Sequence, residues 1–298
     1  MMMNDSGEIS NLLDQLQEST GLSLCLDPQV PADPQVTAGK LRDLLRLTKS
    51  SRDKHYFLRR YLSSQLDEDE IRSGFARHHM QASARRALLL VTFPEDLNEE
   101  TRSILSSIFP RSQVSPLSMG RDRMLLIVKG KPSALSPMVS ALLDTMASEA
   151  MIPVKVVYDN QTVTLADLPA AYQDLVTSLA IGNTFYPAEQ IYESASLGLA
   201  RLIFRLPEDV CQRYLQEHFL DYDFGRMDAD TLRAIHTLFH NNLSLSETAR
   251  QLFIHRNTLA YRLDKFQKAS GLDVRNFDEA ITCRIGMMIW QKLHQKSR

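Results

Sequence analysis

Residues 231–271 read TLRAIHTLFHNNLSLSETARQLFIHRNTLAYRLDKFQKASG, and their apolar spacing decides the fold of the C-terminal part of the chain. Leu232, Ile235, Leu238 and Phe239 recur at three- and four-residue intervals, which predicts a first amphipathic helix closed by Asn241 and Asn242. Ser244 and Glu247 have the spacing of a capping box. The serine hydroxyl can accept an amide hydrogen from the first turn, and the glutamate can reach back to the cap amide. Ala249 and Leu252 then place small and large apolar groups on the inward face of a short second helix. Phe253 and Ile254 lead into a turn. A third helix is expected over about 256–268, with Leu259, Leu263 and Phe266 on one buried stripe. Together with Leu252, these three form the expected core of the domain.

A short helix, a tight turn and a polar-faced following helix is the arrangement that lets the last helix enter a major groove. The polar residues off the stripe have the chemistry for it. Arg256 and Arg262 can donate paired hydrogen bonds to guanine or grip phosphate, and Asn257 can match an adenine edge. Thr258 can contact phosphate or pack its methyl on thymine, and Tyr261 also lies off the stripe. Lys265 suits backbone attraction more than base choice, and His255 sits at the helix entrance, where it can contact phosphate or cap. The competing reading is a solvated basic helix face.

Charge is distributed in the same sense. The whole chain of 298 residues carries a formal charge of -2, but residues 228–298 hold 11 Lys or Arg against 7 Asp or Glu. The preceding 227 residues hold 23 basic and 29 acidic side chains, an acidic body joined to a modestly basic end.

The stretch ETARQLFIHRNTLAYRLDKFQKASGLDVRNFDEA, residues 247–280, closely resembles the C-terminal DNA-binding domain of the PucR/CdaR family of transcriptional regulators. The resemblance covers about Thr231 to Trp290 and is most specific at SETA, HRNTL, YRL and GLDVRNFDEA. It implies that HRNTL opens the recognition helix, with His255, Arg256, Asn257, Thr258, Tyr261 and Arg262 facing DNA. It implies a last helix in which Ala280, Ile281, Ile285, Met288 and Ile289 serve core or subunit packing. It further implies a double-stranded DNA operator as partner, a homo-oligomer that spaces two reading helices, and control by a small-molecule effector of unknown identity.

Upstream the period changes. ALLLVTF (87–93) reads as a buried strand, followed by a helix over about Glu99 to Phe109, a strand near Gln113 to Leu117, an MGRD turn and the strand MLLIVKG (124–130). A helix over about Ser136 to Ala150 leads to a further strand candidate, PVKVVYD (153–159). This is the pattern of an α/β sandwich with a mixed or antiparallel sheet. Leu168 to Leu179, Ala188 to Ile191 and Leu197 to Phe204 read as helical. PEDVCQRYLQEHF (207–219) follows, with Val210, Tyr214 and Leu215 able to share an apolar face, and FLDYDFGRMDAD (219–230) makes a turn-rich boundary. Over roughly 86–205, including NTFYPAEQIYESASLGLARLIFRLP (183–207), the chain also resembles the family's GGDEF-like middle domain. It departs at the chemistry: the central hairpin reads SMGRDR, and Asp122 alone does not supply the acidic loop that would organise metal-bound phosphates.

The expected architecture is multidomain α+β. A mainly helical regulatory or assembly region spans 1–85, a degenerate GGDEF-like α/β domain 86–205, a helical connection 206–227 and an all-α helix-turn-helix domain 228–298. In the first region Ile9, Leu12, Leu13 and Leu16 mark one apolar stripe, Leu41, Leu44, Leu45 and Leu47 another, and 21–34 a short strand and loop.

No catalytic constellation is legible, so an enzyme is not expected, nor is a cofactor or metal. His78 and His79 are adjacent and cannot imitate the same-face pair of a zinc helix, whereas His236 and His240 share a face but lack a third ligand. Cys25, Cys211 and Cys283 are isolated, with core roles expected for the last two, and Trp290 is expected as a packing anchor. With no long apolar run and no basic, apolar leader pattern, the expectation is a cytoplasmic protein without a membrane partner. The reading that follows is a sequence-specific, effector-responsive transcriptional regulator. Its alternative is an architectural or assembly protein that uses a helix-turn-helix fold without operator choice.

Overall fold

Five consecutive apolar residues, Ala87 to Val91, are all buried in the first strand, β1 (Arg86–Thr92), and this run builds the central β region. The computed structural model describes residues 9–14, 36–44, 54–97, 99–109, 112–129, 135–219 and 222–295. The described residues fall into two compact units. One lies within Met1–Val154 and Asn160–Asp174, the other within Lys155–Asp159 and Leu175–Arg298.

The first unit contains helices α1 (9–14) and α2 (36–44), where Leu12, Ala38 and Leu41 pack together with Ile9 and Leu13 alongside. Leu44 is exposed. The expected contributions of Leu16, Leu45 and Leu47, the strand and loop at 21–34, and Cys25 lie outside the described residues. Helix α3 (Lys54–Leu62) and helix α4 (Glu68–Arg77) follow. A full capping box starts α4: the Asp67 carboxylate accepts the Glu70 N–H at 2.8 Å, and the Glu70 carboxylate accepts the Asp67 N–H at 3.1 Å. Phe75 packs edge to face on the stacked rings of Phe57 and Tyr61, and the His78 ring lies 5.4 Å from Phe57, an interhelical setting.

After β1 come α5 (Glu99–Ile108), β2 (Val114–Ser118), β3 (Arg123–Lys129) and α6 (Leu135–Ser148). β3 pairs antiparallel with both β1 and β2, opposing Leu125 to Leu90 on one side and to Leu117 on the other. β3 buries Met124 to Val128 as continuously as β1 buries its own run, as expected of strands covered on both faces. In the hairpin turn Asp122 lies 3.7 Å from the Arg123 guanidinium, and Arg121 reaches Asp96 at 3.6 Å. The Tyr61 hydroxyl donates to the carbonyls of Leu165 and Ala166 at 2.8 and 3.0 Å, fastening α3 to the segment before α7 (Leu168–Phe185).

The second unit pairs β4 (Lys155–Tyr158) in parallel with β5 (Ile191–Glu193), so the β region is mixed in the sense of its pairings. β5 corrects the helical expectation over Ala188 to Ile191. α7 ends at Phe185, Pro187 has no amide to continue it, and the Glu189 N–H instead closes a turn on the Tyr186 carbonyl at 3.0 Å. The Lys155 ammonium donates to Asn183, the Pro187 carbonyl and the Tyr192 hydroxyl at 2.8, 3.0 and 3.1 Å, and burial lowers its pKa. A 3-10 turn at Ser194–Leu197 opens α8 (Gly198–Arg205), whose Arg201 donates to Ser178 at 2.6 Å.

Helix α9 (Glu208–Phe219) and the last helix, α13 (Phe277–Gln295), pack closely. Cys211 and Phe219 are buried, and Tyr214 and Leu215 pack against the core as expected, whereas Val210 is exposed. Phe219 joins the core of the C-terminal helices. The Lys292 ammonium, in the last turns of α13, donates to the carbonyls of Ile203 and Leu206 and so satisfies the C-terminal end of α8. The molecule is thus mostly helical, with a central mixed β region and C-terminal all-α helices.

The approach of α9 to α13 depends on Gly286, where a Cβ would lie 2.3 Å from the buried ring of Phe219. Gly286→Ala is therefore expected to lower stability by a net ~1–2 kcal/mol, because overpacking outweighs the gain in helix propensity. Denaturant titration followed by circular dichroism measures it, and an unchanged or raised midpoint would contradict the tight approach.

Candidate nucleic-acid interface

Three helices form the front of the second unit. They are α10 (Ala229–His240), α11 (Leu245–Gln251) and α12 (Arg256–Ser270). α10 begins at Asp228, whose carboxylate accepts the Thr231 N–H at 2.8 Å and the Thr231 hydroxyl at 3.0 Å. The Thr231 backbone hydrogen bond is the main cause that holds the Asp228 carboxyl below its ordinary pKa. Ala234, Ile235 and Leu238 are fully buried, while Leu232, expected on the same stripe, is 38% exposed. The buried stripe instead passes through Thr231, Ala234 and Leu238.

Asn242 and Leu243 take positive φ values of 51° and 64°, turning the chain sharply between α10 and α11. At the start of α11 the Ser244 hydroxyl accepts the Glu247 N–H at 3.4 Å. The reciprocal half of the expected capping box is replaced. The Ser244 N–H is already bound to the Asn241 carbonyl at 2.9 Å, and the Glu247 carboxylate binds Arg250 at 2.6 and 3.0 Å. The Asn241 side-chain amide also donates to Gln251 at 2.8 Å, joining the end of α10 to the end of α11. Leu252 is partly buried and packs against the core, next to buried Ala249.

Phe253, at φ 54° in the turn before α12, is 96% exposed. His255 is the cap of α12: its Nδ1 accepts the Asn257 N–H at 3.2 Å, so a neutral ring in this pose carries its proton on Nε2. Along α12, Leu259, Leu263 and Phe266 are at most 2% exposed, and they meet Ile235 and Leu238 in one core. With that side buried, Arg256, Asn257 and Thr258 are left exposed at the start of the helix, and Tyr261 is 70% exposed one turn on.

The two remaining cations are engaged. Arg262 Nη2 lies 2.7 Å from Asp230, and Lys265 Nζ lies 3.2 Å from Asp228. Sequence reading missed these acidic partners because DAD at 228–230 reads only as part of a turn-rich boundary. It also missed Arg275, which donates to Asp273, Asp264 and Gln267 at 2.6, 2.7 and 2.8 Å and braces the loop after α12 against that helix.

In α13, Ala280, Met288 and Ile289 are buried and Ile285 is partly so, while Ile281 is exposed. Cys283 is buried and its thiol is pushed up to about 12 by burial, which leaves no thiolate near neutral pH. Trp290 packs against the core with the His294 ring stacked on it at 4.4 Å. Among the described residues no group of three or more His, Cys, Asp or Glu could hold a metal ion, and no helix is long and apolar enough to cross a membrane.

α12 ends at Gly271, with φ 80° and a hydrogen bond from its N–H to the Gln267 carbonyl. Gly271→Ala is expected to cost about 1 kcal/mol, since a side chain resists this left-handed conformation although nothing within 4 Å would touch it. A thermal midpoint equal to that of the parent chain would show that the turn relaxes instead.

Residues 231–289 match the family of PucR C-terminal helix-turn-helix domains. The chain is 27% identical over 156 residues to the Carbohydrate diacid regulator of Escherichia coli, covering 51% of this chain and 39% of that protein. It is 26% identical over 216 residues to the Proline-responsive transcriptional activator PutR of Bacillus subtilis, covering 66% and 50% respectively. With the Purine catabolism regulatory protein of Bacillus subtilis it shares 22% identity over 124 residues, 41% of this chain and 23% of that one. These matches span half or less of each relative. A solved structure of the Regulator of Polyketide Synthase Expression from Bifidobacterium adolescentis aligns over 95% of this chain and 98% of that one, at 15% identity and a TM-score of 0.38, too loose to establish a common arrangement. The α10–α12 front, with the first part of α13, is a PucR-type C-terminal helix-turn-helix domain.

Proposed function

We propose that the chain is a sequence-specific DNA-binding transcriptional regulator, whose reading helix is α12 and whose partner is a double-stranded operator. The observation that carries this is the exposed start of α12. Arg256, Asn257 and Thr258 are exposed in the first turn of α12, ahead of the buried Leu259, Leu263 and Phe266, in a domain matched to helix-turn-helix relatives. Arg256 and Asn257 then read base edges. His255 offers Nε2–H to a phosphate, Thr258 and Tyr261 contact backbone or base methyl groups, and Arg262 and Lys265 engage phosphates.

The pairing of Arg262 and Lys265 with Asp230 and Asp228 does not oppose this reading. Solvent-exposed ion pairs are worth about 0.2–1 kcal/mol, so exchanging them for phosphate contacts costs little. The residues over 86–205 serve, in this proposal, as a degenerate GGDEF-like module without cyclase chemistry, since Asp122 stands against Arg123 in the hairpin. The regulator acts in the cytoplasm as a dimer or higher assembly, with 228–298 as reading domain, 206–227 as connection and the region before residue 86 in regulation or assembly. It responds to a small-molecule effector. Relatives named as a carbohydrate diacid regulator, a proline-responsive activator and a purine catabolism regulatory protein support that part of the reading.

Affinity selection of genomic DNA fragments by the purified chain at near-physiological salt is expected to return a narrow motif, in paired half-sites. A selection with no motif favours an architectural role instead. With an operator in hand, Arg256→Ala or Asn257→Ala should weaken operator binding by about 1–3 kcal/mol and random DNA less. Equal losses on both DNAs would remove these residues from base reading. Lys265→Ala should weaken both DNAs alike and lower the slope of log affinity against log salt by about one.

A further inference from the structure

The second unit holds a cleft of about 420 Å³, a size suited to a small organic ligand. Phe185 from α7, Phe239 from α10 and Met288 from α13 give it an apolar lining, while His236 and His240 from α10 and Arg284 from α13 supply polar groups. Among the described residues the Arg284 guanidinium has no hydrogen-bonded or ion-paired partner. It lies close enough to His236 to lower that imidazole's pKa, although burial is the larger cause. Glu189 also lines the cleft and forms no ion pair with either group among the described residues.

The i, i+4 pair His236 and His240 suggests a metal, but the described residues offer no third ligand, and an adjacent guanidinium repels a cation. The Arg284 guanidinium attracts an anion instead, with Glu189 the one opposing carboxylate in the lining among the described residues. A guanidinium with its donors unused presents a planar fork that matches a carboxylate, and the aromatic and thioether walls match an apolar body.

We propose that this cleft binds a small carboxylate with an apolar body, its carboxylate on Arg284 and its body against Phe239 and Met288. Gln251 lines the cleft too, and its side-chain oxygen receives the Asn241 bond that joins α10 to α11. An occupant therefore touches the joint of the helix-turn-helix domain as well as α13. Occupancy deepens the effector-responsive reading of the preceding section, but binding itself does not depend on that reading.

Isothermal titration of the full chain with benzoate tests it. Saturable binding with a dissociation constant on the order of 1 mM or tighter is expected, with benzyl alcohol at least ~10-fold weaker because it lacks the charge. Arg284→Gln, at an exposed position, should weaken benzoate at least ~10-fold with an unchanged thermal midpoint, and Gln291→Trp should block binding by filling the cleft. No saturable binding, equal binding of benzyl alcohol, or full benzoate affinity in both variants would each overturn the proposal. Since the titration contains no DNA, its failure leaves operator reading standing, and absence of an operator leaves the cleft standing.

Discussion

Burial of Leu259, Leu263 and Phe266 along one side of α12 is the constraint on which the front of the second unit depends. Each such side chain is worth about 1.5–3 kcal/mol when taken fully out of water, several times an exposed ion pair. The stripe therefore fixes the rotation of α12 about its axis, and the polar residues take whatever directions remain. Asn257 and Tyr261 are thereby turned away from the core, while Arg256, one turn ahead of Leu259, is exposed because the helix begins there. Caps and braces then set the ends. His255 closes the start, Gly271 the finish, and Arg275 holds the following loop to the helix.

Much of this was legible because the strongest signals are local. The runs at 87–91 and 124–128 are long enough, and rich enough in β-branched and leucine side chains, to declare buried strands. The 259, 263, 266 spacing places α12 against its core, and the turn residues before α11 delimit the helices on either side. β5 was not legible. Three residues following Pro187 give no period, and the strand exists because β4 offers a parallel edge from far along the chain.

The errors at the interface have one physical form: a sequence gives the period of a helix more surely than its phase. Leu232, Val210 and Ile281 each sit next to the true stripe and are exposed. Charge partners are less visible still. Asp230 and Arg262 are thirty-two residues apart and meet only because α10 crosses α12, so the charged face of α12 reads as free when two of its cations have carboxylates beside them. Glu247 shows the same competition at short range, its carboxylate drawn to Arg250 when the cap amide is already occupied.

The attachment of Lys292 to the end of α8 is of a different kind from the contacts around α12. It joins an ammonium to main-chain carbonyls and uses no carboxylate. Asp228 and Asp273 have pKa values below the ordinary range, so the stability they add is complete above that range and disappears as acid protonates them in the folded state. Acid therefore loosens the second unit around α10, α12 and the loop after α12, where these carboxylates make the fastenings. Protons thus set the fastening of the reading domain through two aspartates, whereas the grip of α13 on α8 holds no carboxylate for them to reach.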